Sequence, residues 1–357
     1  MSAPAPRISV IIRSYNRLPA LCELLDALRA QDHDSFEVIV IDQSTEMSDD
    51  VVERIVEIGT DPRFHILRFP PLGGAKARNM GIRQMRGEIA VFIDDDDLPV
   101  GTDFLRQMEA PFVEDPKLVA LTCRHIWDDN PDEDRLSAAY RFLAPLLCMR
   151  FSRVLGLPDN FARYDKRLDD RHYVHGTGGA YRRSVFERLG GWDDDTPIED
   201  ETSLGIRMRR GLAPGEYVAF DPRARLRRGF EIAGGLDKRR NTTGRYFARF
   251  MTFVHKVLGR YYPVRVRLLW PAYVFGAWRF TVGWIWDDSM AHQTFGSRLL
   301  GTLALTAALP YYAIKALVQI PFGKPPGAGV AMRDKIGSTA GTGDYFRSIL
   351  SESQSTR

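Results

Sequence analysis

The chain predicts an α/β protein with a mostly parallel sheet and helices on both faces, followed by a helical region of different character. Three observations predict this. From residue 8 to 123, short runs of β-branched and aromatic residues alternate with amphipathic helical runs, the βαβα order of a parallel sheet. The run at 88–93 ends in four consecutive aspartates, Asp94, Asp95, Asp96 and Asp97. Carboxylates at that strand tip lie in the crevice where open α/β sheets bind ligands. From 223 to 267 the chain carries thirteen Lys or Arg against two acids, Glu231 and Asp237, and long apolar stretches follow.

The elements follow in order. Ile8, Val10, Ile11 and Ile12 mark a strand over 8–13, and Leu18, Leu21, Leu25 and Leu28 recur at helical spacing over 18–30. A strand is predicted at 36–42, a helix at 49–58 and a strand at 64–69. Next come a helix at 74–85, the strand at 88–93, a helix at 102–112 and a strand at 118–123. Between about 125 and 172 the pattern blurs, which suits an insertion over the site. A small-residue strand is predicted at 175–181 and a helix at 199–210; there is no internal repeat.

With 357 residues and 44% hydrophobic content, the chain is long enough for one large catalytic domain and an appendage. The net charge of +3 conceals acidic clusters at 94–97, 128–134 and 193–201 that contrast with the basic run. Cys22, Cys123 and Cys148 are odd in number and lack metal-ligand spacing, as reduced cytosolic thiols would be. The first six residues lack the apolar core of a signal peptide, so the catalytic part is expected in the cytoplasm.

Four adjacent carboxylates repel one another, and Mg²⁺ or Mn²⁺ bridging them to a diphosphate would relieve that repulsion. The alternative is a solvated turn that caps the next helix. The Asp-Asp-x-x-Asp spacing of polyprenyl synthases is excluded, because Leu98 occupies the last position.

Ser9-Val10-Ile11-Ile12-Arg13-Ser14-Tyr15-Asn16-Arg17 resembles the opening signature of family 2 glycosyltransferases. Val40-Ile41-Asp42-Gln43-Ser44 resembles the second strand of their nucleotide site, and Gly74-Ala75-Lys76-Ala77-Arg78-Asn79-Met80-Gly81 the helix leading to the aspartate strand. Phe92-Ile93-Asp94-Asp95-Asp96-Asp97 resembles their Asp-x-Asp motif, and Leu189-Gly190-Gly191-Trp192-Asp193 the acceptor-side segment. The resemblance implies the GT-A fold, a Rossmann-like sheet fused to an acceptor half, and inverting transfer from a nucleotide sugar. It divides the chain into 1–225, with a donor half at 1–123 and an acceptor half at 124–225. A basic and apolar helical region then spans 226–322, and a mostly disordered tail spans 323–357.

Carried over residue by residue, Asp94 and Asp96 are the metal pair, and Asp94 and Asp95 also contact the donor. Arg13 belongs to the same donor set. Asp42 either accepts the imide hydrogen of uracil or thymine, which favours UDP or dTDP, or caps a turn. Tyr15 either stacks on the base or packs in the core. Lys76 and Arg78 either reach base or phosphate or are solvated helix charges. Gly178 and Gly179 either admit the sugar or diphosphate close to the backbone or form a tight turn. Trp192 is either a sugar platform or core, and His175 either touches the diphosphate or is structural. The base is Glu201 if Leu204 and Arg207 set the register, or Asp200 if the Glu199-Asp200 pair does.

The chain has no Arg-Trp dipeptide after the acidic pair, which points to addition of one sugar per encounter rather than processive synthesis. The stretch 268–286 contains Arg279 as its one basic residue before two aspartates, and 299–323 is interrupted by Pro310. Such segments suit peripheral or re-entrant attachment at the cytoplasmic face of the membrane, with a lipid-linked or saccharide acceptor. A soluble helical dimerisation unit is the alternative, and nucleic acid is not expected as a partner. A nucleotidyltransferase and a non-catalytic sugar-nucleotide-binding protein are the competing functions.

Overall fold

The computed structural model describes residues 6–126, 154–157, 161–193, 200–229, 250–285 and 294–322. The predicted 125–172 insertion lies largely outside these residues, and the 323–357 tail wholly so.

Four parallel strands form the first half of the sheet: β1 (Ile8–Ser14), β2 (Phe36–Asp42), β3 (Phe64–Arg68) and β4 (Ile89–Asp94). The strands β5 (Leu98–Pro99), β6 (Leu118–Ile126), β7 (Gly179–Arg182) and β8 (Tyr217–Arg227) complete the order β3-β2-β1-β4-β7-β6-β8-β5. Ile8 of β1 lies opposite Phe36 of β2 and Ile89 of β4, so the tips of these strands end together.

Side-chain alternation sends Val10 and Ile12 to one face, where they pack on α1 (Leu18–Arg29), α2 (Asp49–Ile58) and α4 (Phe104–Glu114). Ile11, Ile39 and Phe92 face the other side. There they pack on α3 (Gly74–Gln84), α5 (Arg183–Leu189) and α6 (Asp200–Gly211). Each fully buried aliphatic or aromatic side chain contributes about 1.5–3 kcal/mol, which is why both faces are apolar along these strands.

Three expectations need correction. The strand expected at 175–181 is confined to Gly179–Arg182, because Gly178 has φ of 63° and turns the chain just before it. It is also antiparallel, inserted between β4 and β6. β8 was not anticipated, and it crosses the expected boundary at 225. Its charged second half hides an alternation in which Ala224 and Leu226 are buried. A register shift between Asp221 and Arg225 accommodates Pro222, which has no N–H for the ladder.

A π-helical turn (Val254–Leu258) leads to α7 (Pro263–Leu268), α8 (Trp270–Ile285) and α9 (Phe295–Phe322). α9 runs through Pro310 without ending there, which corrects the expected interruption. These helices share a separate core in which Phe253, Leu258, Tyr273 and Leu305 meet Ile206 of α6. Outside that core, Leu268, Phe275, Leu300, Leu303, Tyr311 and Ile314 are exposed. Among the described residues, no helix is long and apolar enough to cross a membrane.

Candidate active site

The four aspartates point in different directions because strand alternation and the turn after β4 separate them. Asp94 ends β4 opposite Arg13 of β1, whose Nε donates to Asp94 Oδ1 at 3.1 Å. Arg78 of α3 is buried, and its Nη2 lies 3.6 Å from the same oxygen. Asp95 turns inward and accepts from Ser14 Oγ at 2.9 Å and from the Tyr15 backbone N–H at 3.3 Å. Asp96 accepts from Arg17 Nη1 at 2.6 Å, and that nitrogen also lies 3.4 Å from Asp95 Oδ1. Asp97 is buried, with Thr177 Oγ1 donating at 2.7 Å, the Gly229 N–H at 3.2 Å and Arg228 Nε 3.2 Å away. Thr177 also accepts from the Asp94 N–H at 3.0 Å, so one hydroxyl ties both ends of the tetrad.

This crowding divides the acidities. Burial opposes ionisation of Asp94, but Arg13, Arg78 and Arg228 together outweigh it and hold the carboxyl well below the usual range. Burial and the neighbouring Asp96 push Asp95 up to about 6, against the pull of Arg17. Asp96 is raised by burial and by Asp94. Burial raises Asp97 to about 7 even though Arg228 opposes it.

Asp94 and Asp96 keep side-chain exposures of 19% and 13%, while Asp95 and Asp97 fall to 7% and 1%. The outer pair therefore offers oxygen ligands to a small hard cation. Among the described residues, no group of three or more His, Cys, Asp or Glu is placed to hold a metal alone. Such a donor set fits Mg²⁺ or Mn²⁺ shared with a diphosphate, rather than an ion caged by protein.

Arg13, Arg78, Asp94, Asp95 and Asp96 come together at this tip, and half-buried Tyr15 stands beside Asp95. Asp42 does not present a free edge. It is fully buried, and its Oδ1 accepts from Ser44 N–H at 3.0 Å and Ser44 Oγ at 2.6 Å, which is the turn-capping alternative. Burial pushes its pKa above the ordinary carboxylate range in spite of those bonds. Lys76 is exposed, on the side of α3 away from the buried Ala75, Ala77 and Arg78.

Gly178 and Gly179 fit the tight-turn alternative. A Cβ on Gly178 would lie 2.5 Å from Cys123 Sγ, and one on Gly179 would collide with the carbonyl of His175, so protein fills the space assigned to substrate. Trp192 is core rather than platform: it is 1% exposed and packs edge-on against Phe92 with centroids 4.7 Å apart. The Asn79 amide clamps its backbone, accepting from the Trp192 N–H at 2.8 Å and donating to its carbonyl at 2.9 Å. His175 packs between Phe161 and His125, and burial lowers it to about 3.

α6 begins at Asp200, and Glu201 is half-buried; Glu199 lies outside the described residues. The expected register anchors are both engaged. Leu204 is buried on the sheet, and Arg207 donates to the carbonyls of Leu189 and Gly191 and pairs with Asp193 at 3.3 Å. Sequence reasoning missed Ser14, Arg17, Thr177 and Arg228 as partners of the tetrad. Ser14 and Arg17 lay within a recognised motif, whereas Arg228 carried no signal without β8.

A four-stranded parallel start, a carboxylate-tipped β4 and an inserted antiparallel β7 define a GT-A-type fold. The mannosyltransferase PcManGT from Pyrobaculum calidifontis, solved in complex with GDP-Man and Mn²⁺, matches it with a TM-score of 0.50 at 21% identity, covering 99% of this chain and 81% of that one. Residues 9–190 match Glycosyl transferase family 2, and the chain belongs to that family. The glycosyltransferase EpsJ of Bacillus subtilis is 28% identical over 211 residues, 57% of this chain and 56% of EpsJ. A Rickettsia bellii glycosyltransferase is 40% identical over 93 residues, 26% of this chain and 13% of that protein. The matched part thus covers little more than half of the one relative and a small fraction of the other.

Proposed function

We propose that the protein is an inverting, metal-dependent glycosyltransferase that moves one sugar from a nucleoside diphospho-sugar to a hydroxyl of a lipid-linked saccharide at a membrane surface. The observation that carries this reading is the divided tetrad, in which Asp95 and Asp97 fix the turn while Asp94 and Asp96 remain at the open edge.

A bound Mg²⁺ or Mn²⁺ held by Asp94 and Asp96 would stabilise the charge that develops on the departing diphosphate. Arg13 and Arg78 flank Asp94 and supply charge-assisted donors for phosphate oxygens. Glu201 is the proposed base, removing the acceptor hydroxyl proton as that oxygen attacks the anomeric carbon. Its place on α6 supports the assignment: Glu201, Leu204 and Met208 share a helical face, and Leu204 and Met208 are buried against the sheet. Ser44 engages Asp42 Oδ1 and Arg68 lies 3.4 Å from Oδ2, so the preference for UDP or dTDP gains no support from this side chain and the screen below decides the base.

We assign the membrane contact to the exposed apolar residues of α7, α8 and α9, with Arg267 and Arg298 beside them for anionic headgroups.

The test is thermal stabilisation by UDP, dTDP, GDP and ADP, each with Mn²⁺ or chelator, in the wild type and in Asp94→Ala/Asp96→Ala. A ligand at a hundredfold excess over Kd adds about 2.7 kcal/mol. A metal-dependent shift with one nucleotide, lost in the variant, is expected; no shift with any nucleotide would overturn the proposal.

A further inference from the structure

Arg17 stands apart from the other cations of the site. It follows Asn16, whose φ of 54° turns the chain off the end of β1. The Asn16 Oδ1 atom accepts from the N–H of Thr45 at 2.8 Å and of Glu46 at 3.2 Å, which fixes that turn. The turn brings Arg17 across the tetrad, where its Nη1 reaches Asp96 Oδ2 at 2.6 Å and Asp95 Oδ1 at 3.4 Å. Arg13 and Arg78 serve Asp94, and Arg228 serves Asp97. Arg17 is the guanidinium seated directly on Asp96, one of the two outer carboxylates.

The site as it stands is close to neutral, with Arg13, Arg17, Arg78 and Arg228 set against four aspartates. A divalent ion arriving alone on Asp94 and Asp96 would meet the Arg17 charge a few ångströms away. Like charges that close repel, and the more so where burial limits screening by water. A diphosphate changes the balance, since it brings negative charge and gives a planar guanidinium other oxygens to bind. The Nε–H of Arg17 is buried and has no hydrogen-bond acceptor, so Arg17 keeps an unsatisfied donor while it sits on Asp96.

We propose that Arg17 is the resident counter-ion of Asp96, released when a diphosphate offers it other oxygens, so that metal binding depends on nucleotide. Arg17 is thereby a positioning residue that couples two ligands. The proposal rests on the donor-site reading above. Coupling between ligands is reciprocal, so metal strengthens nucleotide binding by the same factor that nucleotide strengthens metal binding.

The experiment counts free Mn²⁺ by electron paramagnetic resonance during titration of wild type, Arg17→Gln and Arg17→Lys, each alone and with saturating UDP, dTDP, GDP or ADP. In the wild type, Mn²⁺ alone is expected to bind weakly, and one nucleotide to tighten it about tenfold or more. In Arg17→Gln, Mn²⁺ alone binds about tenfold tighter than in the wild type, and the gain from nucleotide shrinks. Arg17→Lys retains the charge and restores most of the coupling. Equal Mn²⁺ affinity in wild type and Arg17→Gln without nucleotide, together with unchanged coupling, overturns the role of Arg17 and leaves the donor site standing. Failure of the wild type to take up Mn²⁺ with any of the four nucleotides overturns the donor-site reading, and the role of Arg17 with it. If Arg17→Gln does not fold, Arg17→Lys and the wild-type coupling still decide: uncoupled binding in both overturns the proposal.

Discussion

The first four strands and the last three helices bury their apolar residues to very different degrees. In β1, β2 and β4 the apolar side chains are at most 4% exposed, and helices close both faces. In α7, α8 and α9, one side packs on Phe253, Tyr273 and Leu305, whereas Leu268 at 74%, Leu300 at 69% and Ile314 at 65% exposure face outward. Scattered exposed apolar residues are ordinary, but several together on adjoining helices indicate a surface that something else covers. The sheet half is complete in itself, and the helical half presents a face.

The largest expected effect tests the closed side. Trp192→Ala should lower the free energy of unfolding by about 3–5 kcal/mol in urea, because it opens a cavity among Phe92, Tyr181 and Phe186. Phe275→Ala on the open side should cost under about 0.5 kcal/mol. Similar losses in both variants would erase the contrast. Next, Leu300→Glu/Leu303→Glu should weaken sedimentation with anionic vesicles roughly a hundredfold, since each buried leucine is worth about 1.5–3 kcal/mol, with the urea midpoint unchanged. Undiminished vesicle binding would remove the membrane assignment.

The smallest effect concerns pH. Asp95 and Asp97, raised to about 6 and about 7, keep protons in the folded state that the unfolded chain has released near its ordinary carboxylate range. They make metal-free stability fall as pH rises from about 4 to 7, because the native state binds more protons there. Asp94 is lowered, so its contribution is present above about pH 4 and lost only below it, outside this window. Asp97→Asn should flatten the upper part of the decline in urea melts with chelator between pH 5 and 7.5. Parallel profiles for variant and wild type would contradict the inward role of Asp97.

Much of this was legible in sequence because period and burial agree. Apart from the two-residue β5, the strand and helix boundaries from 8 to 114 lie within about two residues of expectation, since β1, β2 and β4 are buried on both faces and the helices between them carry apolar positions at helical spacing. β8 escaped because Arg223, Arg225 and Arg227 mask the inward Ala224 and Leu226. The tetrad was visible as a site, but its division into inner and outer pairs depends on Ser14, Thr177 and Arg228, which reach it from three separate segments. For Asp42 and Trp192 the sequence left two alternatives each, and the structure shows the turn cap and the core side chain, because identity alone does not say which way a side chain turns. For Gly178 and Gly179 the tight-turn alternative fits, since the neighbours that need the space are Cys123 and His175.

The insertion of β7 also dictates an order of assembly. β4 and β6 are both synthesised before the strand that joins them, and neither pairs with the other. On the ribosome the nascent chain therefore carries one unsatisfied edge on β4 and two on β6 until Gly179–Arg182 emerges, which takes seconds at about 5–20 residues per second. The far edge of β6 waits longer still for β8. Open edges of that kind recruit other strands. The four-residue strand that follows Thr177 is thus the piece whose late arrival closes two of these edges at once, and it joins the halves of a sheet that until then can pair with other chains.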